Sequence, residues 1–384
     1  MNKYFLLSVI LILLALSVPN QSQISGKENI RSDEAHRIFG KAEPLTFLKR
    51  SEGPFIRLSD GGIFSIQAEK REVSCSISKD EGITWTEYPL FDAEKFSVIN
   101  PVFVQTRKGT IIIAFSNMSE ITPFTWNNDT NRPDTDVKLP TYIIRSKDNG
   151  KTWSEPLKLH DDWTGFNRTI IETKDGHIVL STMIMRNNPS RHCVLTYVSS
   201  DDGATWTPST VLDSPSSTGH HAGLKEADII QLNDGRLWMV IRTNWDYFYE
   251  SYSSDNGLTW SAFCKTDIDS SSSPCGIIRL QSGRIVMVWN RLYQKGKDDI
   301  KRAGGDKNWS EVATSLQRDE LSLMYSDDDG KTWSAPFIIA ENSPQNAGKW
   351  LSYPYLFEPK KGVIWITTMQ GNLKIAFRED DLPK

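Results

Sequence analysis

Several scarcities bound what this chain can be. Four cysteines in 384 residues are too few for a disulfide scaffold, and they lack the paired spacing of a metal site, so a packed core must supply the stability. Basic charge is not in surplus: the formal net charge is −4, which removes electrostatic support for a nucleic-acid partner. Long apolar runs are missing too. The longest, Tyr4 to Val18, spans about 15 residues, short of the ~20 that a membrane-spanning helix needs. Histidine is also sparse, six in all. The adjacent pair His220-His221 has no cysteine or third histidine at ligand spacing, so no metal and no cofactor is expected.

What is present begins with a targeting signal. Lys3 precedes the apolar run, which gives way to the polar Pro19-Asn20-Gln21-Ser22-Gln23. That order predicts a signal peptide over residues 1–23, cut between Pro19 and Ser25, and hence a secreted or periplasmic protein. Residues 24–45 read as a lead-in segment. Further on, Cys264 and Cys275 bracket the serine-rich stretch Asp267 to Pro274; a small disulfide and two free thiols are both open there. Cys75 and Cys193 lie in strand-like runs and read as buried thiols.

Two repeats organise the rest. The pattern Ser-x-Asp-x-Gly-x-x-Trp occurs five times, at Ser78–Trp85, Ser146–Trp153, Ser199–Trp206, Ser253–Trp260 and Ser326–Trp333. Each copy follows a β-rich run and so occupies a turn between strands. There the Ser and Asp side chains satisfy backbone N–H groups, Gly takes a positive φ and Trp packs back over the hairpin. A second repeat, strand–turn–strand, recurs around Gly62, Gly109, Gly176, Gly235, Gly283 and Gly362, at steps of 47 to 79 residues. Such steps fit four-stranded blades with variable loops. The expectation is an all-β, six-bladed β-propeller of four-stranded antiparallel blades over residues 46–384, with no second domain.

Five Asp-boxes on six hairpin units resemble the sialidase (neuraminidase) superfamily, in its bacterial-neuraminidase-repeat branch. Within a blade the chain alternates direction, so turns between the third and fourth strands mark one face. Ligand-binding residues then belong at the start of the first strand, the end of the second and the start of the third, on the opposite face. Arginines gathered there suit an anionic sugar, because a guanidinium grips a carboxylate bidentately. Taken singly, Arg50, Arg168 and Arg186 read more simply as surface ion pairs.

The resemblance assigns roles. Glu226-Ala-Asp leading to Arg242 is similar to the segment that joins a glutamate to the second arginine of a carboxylate-binding triad. Gln317-Arg318 looks like the third arginine, and Ser352-Tyr353-Pro354 like the segment holding a tyrosine nucleophile. Gly62 to Arg71 resembles the strand ending in a pocket arginine. The family's first-blade Arg-Ile-Pro is replaced by Ser51-Glu52-Gly53-Pro54, which puts Glu52 at the first arginine's position; the acid/base aspartate of the following loop has no counterpart.

The catalytic candidates are therefore Tyr353, Glu226 and His221, the last as an acid/base or sugar hydrogen-bonder. The candidates for substrate binding are Arg242, Arg318, Arg71, Glu52, Arg168 and Asn290. Together they imply a monomeric exo-glycosidase releasing a terminal acidic sugar from glycans, retaining through tyrosine. The alternatives are a catalytically silent binding propeller, and a lyase or hydrolase that uses His221.

Overall fold

The computed structural model describes residues 35–48, 52–69, 72–90, 96–134, 136–294, 299–305, 310 and 312–383. The signal peptide, Arg50 and Arg71 lie outside the described residues.

Among the described residues six antiparallel blade sheets follow one another along the chain, with two small two-stranded sheets besides. Blade 1 is Ile56–Arg57, Ile63–Glu69, Glu72–Ser78 and Thr86–Pro89. Blade 4, which carries much of the site, is Lys225–Gln231, Leu237–Arg242, Tyr247–Ser253 and Cys264–Asp269. Blade 5 is Gly276–Arg279, Ile285–Trp289, Glu320–Ser326 and Phe337–Asn342. Blade 6 draws three strands from the C-terminal part, Ser352–Lys360, Val363–Gln370 and Lys374–Arg378. Its fourth, Glu43–Pro44, comes from the N-terminal segment, pairing Glu43 with Ala376 and Pro44 with Ile375. Just before it, His36–Ile38 adds a fifth strand to blade 5. The lead-in thus closes the ring, and Pro44, with no N–H to donate, sits on an edge strand where none is needed.

The Asp-boxes do what their chemistry dictates. In the first, Ser78 Oγ accepts from Gly82 N at 2.8 Å, Asp80 Oδ1 accepts from Thr84 N at 2.8 Å, and Trp85 Nε1 donates to Gly82 O at 3.0 Å. The box at Ser199 repeats the three contacts. Glu81 and Gly82 hold φ of 59° and 87°; the second position favours glycine because only glycine adopts it without strain. All five boxes lie between third and fourth strands. Apolar residues on the blade faces then meet between neighbours: Val102, Ile112 and Ala114 of blade 2 (Val98–Gln105, Ile111–Asn117, Thr141–Ser146 and Leu157–His160) pack against Ile178, Leu180 and Cys193 of blade 3 (Ile170–Glu172, Ile178–Asn187, Ser190–Ser199 and Thr207–Pro208).

The prospective disulfide is absent. All four cysteines are free, with Cys264 exposed and Cys275 buried. Cys264 opens the outermost strand of blade 4 whereas Cys275 precedes the innermost strand of blade 5, so the width of a blade separates them. A thiol reagent should therefore label one cysteine quickly in the native protein and four after unfolding, and dithiothreitol should leave the melting temperature unchanged. A reductant-sensitive melt would contradict this arrangement.

Candidate active site

The hub end opposite the Asp-boxes gathers strand ends from blades 4, 5 and 6. Glu226 lies at the start of an innermost strand, Arg242 ends a second strand, Arg318 leads into a third, and Tyr353 opens the innermost strand of blade 6. All four are buried. Two of them break the β backbone, since Glu226 has φ 40° and Tyr353 φ 60°. Such angles cost a non-glycine residue about 1–3 kcal/mol and persist only where surrounding structure imposes them. A ladder shift between Lys225 and Asp228 accompanies the first.

The contacts are direct. Tyr353 Oη donates to Glu226 Oε1 at 3.1 Å and accepts from Arg242 Nη1 at 2.9 Å. Arg242 Nη1 also forms an ion pair with Glu226 Oε2, and its Nε and Nη2 each lie 3.3 Å from Ser272 Oγ. Arg318 donates to the Ser272 carbonyl and, at 3.4 Å, to Gln370 Oε1. Its guanidinium stands 4.5 Å from the Trp350 ring centroid and 5.8 Å from that of Tyr353. Phe166 packs on the opposite side of Tyr353, centroid to centroid 5.0 Å. The serine-rich loop, through Ser272, is the joint that fixes two arginines.

Electrostatics follow from burial. Burial raises the Tyr353 phenol, Glu226 raises it further, and Arg242 and Arg318 only partly oppose them, so its titration lies above the usual tyrosine value. The arginines do favour the phenolate, but burial and Glu226 outweigh them, so the hydroxyl is protonated in the resting protein. For Glu226 burial also pushes upward, but Arg242, Lys225 and Arg168 outweigh it and hold the carboxyl below its ordinary range. A neutral phenol therefore hydrogen-bonds to an ionised carboxylate. Burial and the charge of Arg242 bring Arg318 down to about 10.

A cavity opens beside this cluster, walled by Trp163, Phe166, Met183, His220, His221 and Lys225. His221 stacks edge-on against His220 with centroids 4.1 Å apart. Burial, then His220, Lys225 and Arg242, take His221 well below the usual imidazole value. Burial with His192 and Lys225 does the same to His220, and burial with Lys225 brings His192 down to about 3. These rings are neutral at physiological pH. Their contribution to stability is complete above about 6.5 and is lost as pH falls toward the depressed folded values, at up to about 1.4 kcal/mol per unit for each. Denaturant unfolding between pH 7.5 and 5 should show falling stability, whereas a flat profile would mean that water reaches these rings.

Other candidates sit elsewhere. Arg168 is no surface ion pair: it is buried at the hub, 3.3 Å from Asp228 Oδ2, and donates to the Cys275 carbonyl at 2.6 Å. Its guanidinium lies 5.9 Å from the Tyr353 ring and 5.5 Å from that of Tyr355, so it supports the tyrosines and does not wall the cavity. Asn290 spends its amide on the carbonyls of Glu320 and Leu351, both at 2.8 Å, and so ties strands together. Glu52 lies toward Thr367 and Lys374; burial, opposed by Lys374, raises its carboxyl to about 7. Sequence reasoning missed Lys225, Asp228 and Ser272. Adjacency to Glu226 was the available signal for the first, but nothing local marks the other two.

The hub thus gathers a buried tyrosine, a carboxylate and two arginines at one end of a six-bladed propeller. The chain belongs to the family described as the BNR repeat-like domain, matched over residues 67–366, within the sialidase/BNR-repeat superfamily. It is 27% identical over 213 residues to a sialidase of Clostridium perfringens, covering 50% of this chain and 53% of that one. With a sialidase of Paraclostridium sordellii it shares 24% over 212 residues, half of each chain. The aligned stretch thus spans about half the length of these relatives. Among solved structures, a protein of unknown function from Dyadobacter fermentans superposes with TM-score 0.60 at 17% identity, over 89% of this chain and 98% of that one. The NanB sialidase of Streptococcus pneumoniae gives 0.57 at 14%, over 91% and 71%. These structural likenesses carry the fold.

Proposed function

We propose that the protein is an exported, monomeric glycosidase that releases a terminal acidic sugar with retention, using Tyr353 as nucleophile and Glu226 as the base that receives its proton. The observation that carries this reading is the buried triangle of Tyr353, Glu226 and Arg242, a nucleophile within reach of an ionised base and a fixed cation. As Tyr353 Oη bonds to the anomeric carbon, its proton passes to Glu226 Oε1 and the glycosidic bond breaks with its electron pair on the leaving oxygen, which takes a proton from solvent. Water then bonds to the anomeric carbon of the glycosyl-tyrosine and gives up a proton to solvent, while the tyrosine oxygen leaves and regains its proton from Glu226. A tyrosine suits an anionic sugar because a carboxylate nucleophile would repel the substrate's own charge. The sialidase relatives support the same substrate class.

His221, a neutral wall of the cavity, serves as a hydrogen-bond partner for sugar hydroxyls. An aryl leaving group needs no protonation, so aryl glycosides probe the nucleophile alone. Purified mature protein should release aryl alcohol from an α-sialoside or from a member of a uronide panel, and NMR should show the first sugar product with the substrate's anomeric configuration. Inversion would eliminate the covalent tyrosine. Silence across the whole panel would favour a binding propeller.

A further inference from the structure

Around Tyr353 the buried charges do not balance. Arg242 pairs with Glu226 and Arg168 with Asp228, but two further cations have no carboxylate within ion-pair distance among the described residues. One is Arg318, whose Nε is buried without a partner. The other is Lys225, 2% exposed, whose ammonium makes one hydrogen bond, 2.6 Å to the His221 carbonyl. Lys225 stands directly across the ladder from Arg242, a like-charge pairing that destabilises a sheet. A buried ammonium with one neutral acceptor is expensive to keep. Its side chain forms part of the cavity wall beside His192, His220 and His221.

We propose that Lys225 is a substrate-binding cation, holding an anionic group of the ligand on the histidine side of the cavity. This inference deepens and rests on the acidic-sugar reading, and it places a recognition charge in blade 4. The neutral imidazoles around it can take hydroxyl hydrogen bonds without competing for the anion, and Glu226 is already committed to Arg242 and Tyr353. Of the two uncompensated cations, Lys225 is the one on the cavity wall that an entering ligand meets.

Free N-acetylneuraminate and glucuronate serve as probes in calorimetry at fixed ionic strength, with glucose as the neutral control. For whichever acid binds the parent, Lys225→Met should weaken affinity at least tenfold. Ligand-free Lys225→Met should also melt at or above the parent temperature, since it removes an unpaired buried charge. Parent affinity should decline as pH rises above neutrality. Burial, Arg242 and Arg318 loosen the ammonium's proton, Glu226 alone opposes them, and the three histidines stay neutral throughout that range; the variant's profile should be flat. Equal affinities of parent and variant would overturn the role of Lys225 and leave the acidic-sugar reading standing. A variant that melts several degrees lower with affinity unchanged would make Lys225 a structural cation. If neither acid binds the parent, the acidic-sugar reading and this inference fall together.

Discussion

Tyr353→Phe should lower turnover of the best aryl glycoside by about 10³-fold or more, the scale seen when a nucleophile is removed from a cluster that acts as a unit. The substitution deletes one oxygen. Glu226 keeps its ion pair with Arg242 and the ring keeps its packing on Phe166, so the structural cost is that of two hydrogen bonds, about 2 kcal/mol. Initial rates and a thermal melt, measured side by side, separate the two effects. A variant that melts like the parent and still turns over within tenfold would remove the tyrosine from the chemistry and turn attention to His221. Glu226→Gln makes a complementary comparison: the amide cannot accept the phenolic proton as a carboxylate does, so its loss should also fall on kcat.

The largest effect on stability is expected at Asp228. Arg168 is buried at the hub with Asp228 as its ion-pair partner among the described residues. The same carboxylate also accepts from Thr169 Oγ1 and lies 3.8 Å from Cys275 Sγ. Asp228→Ala leaves a guanidinium in a dry interior, which costs about 3–5 kcal/mol. The double variant Arg168→Met with Asp228→Leu removes both charges and should recover most of that loss, because a buried pair is worth little more than apolar residues filling its volume. Denaturant midpoints of the two single variants and the double variant form the cycle that tests this. Additive losses would mean that the two side chains do not interact.

These positions show which parts of the molecule were legible in the sequence. The Asp-boxes were, because each rests on contacts within eight residues: serine to glycine, aspartate to threonine, indole to carbonyl. Glu226, Arg242, Arg318 and Tyr353 were legible through position, since strand direction dictates which ends share a face. Arg168 was also correctly placed at a strand start, yet its environment was misjudged as surface. Its partner lies 60 residues away, and no local pattern announces that pairing. Lys225 was hidden by the ladder shift that follows it, which breaks the alternation used to decide where a side chain points. The sequence left the Cys264–Cys275 pairing open for a related reason: eleven residues of chain here cross from the rim of one blade to the hub of the next.

The N-terminal edge strand has a consequence for how this protein fails. Glu43 and Pro44 contribute two paired positions to the last blade, so the circle is fastened by a latch far smaller than any blade interior. The chemistry, meanwhile, depends on a span across the hub from Glu226 of blade 4 to Tyr353 of blade 6, whose relative placement the closed ring holds. An opened ring would retain most of its strands and its circular-dichroism signal while holding no assembled centre. Turnover is therefore a more sensitive gauge of ring integrity than secondary structure, and during slow heating or limited proteolysis near residue 43 activity should disappear before the β-signal does.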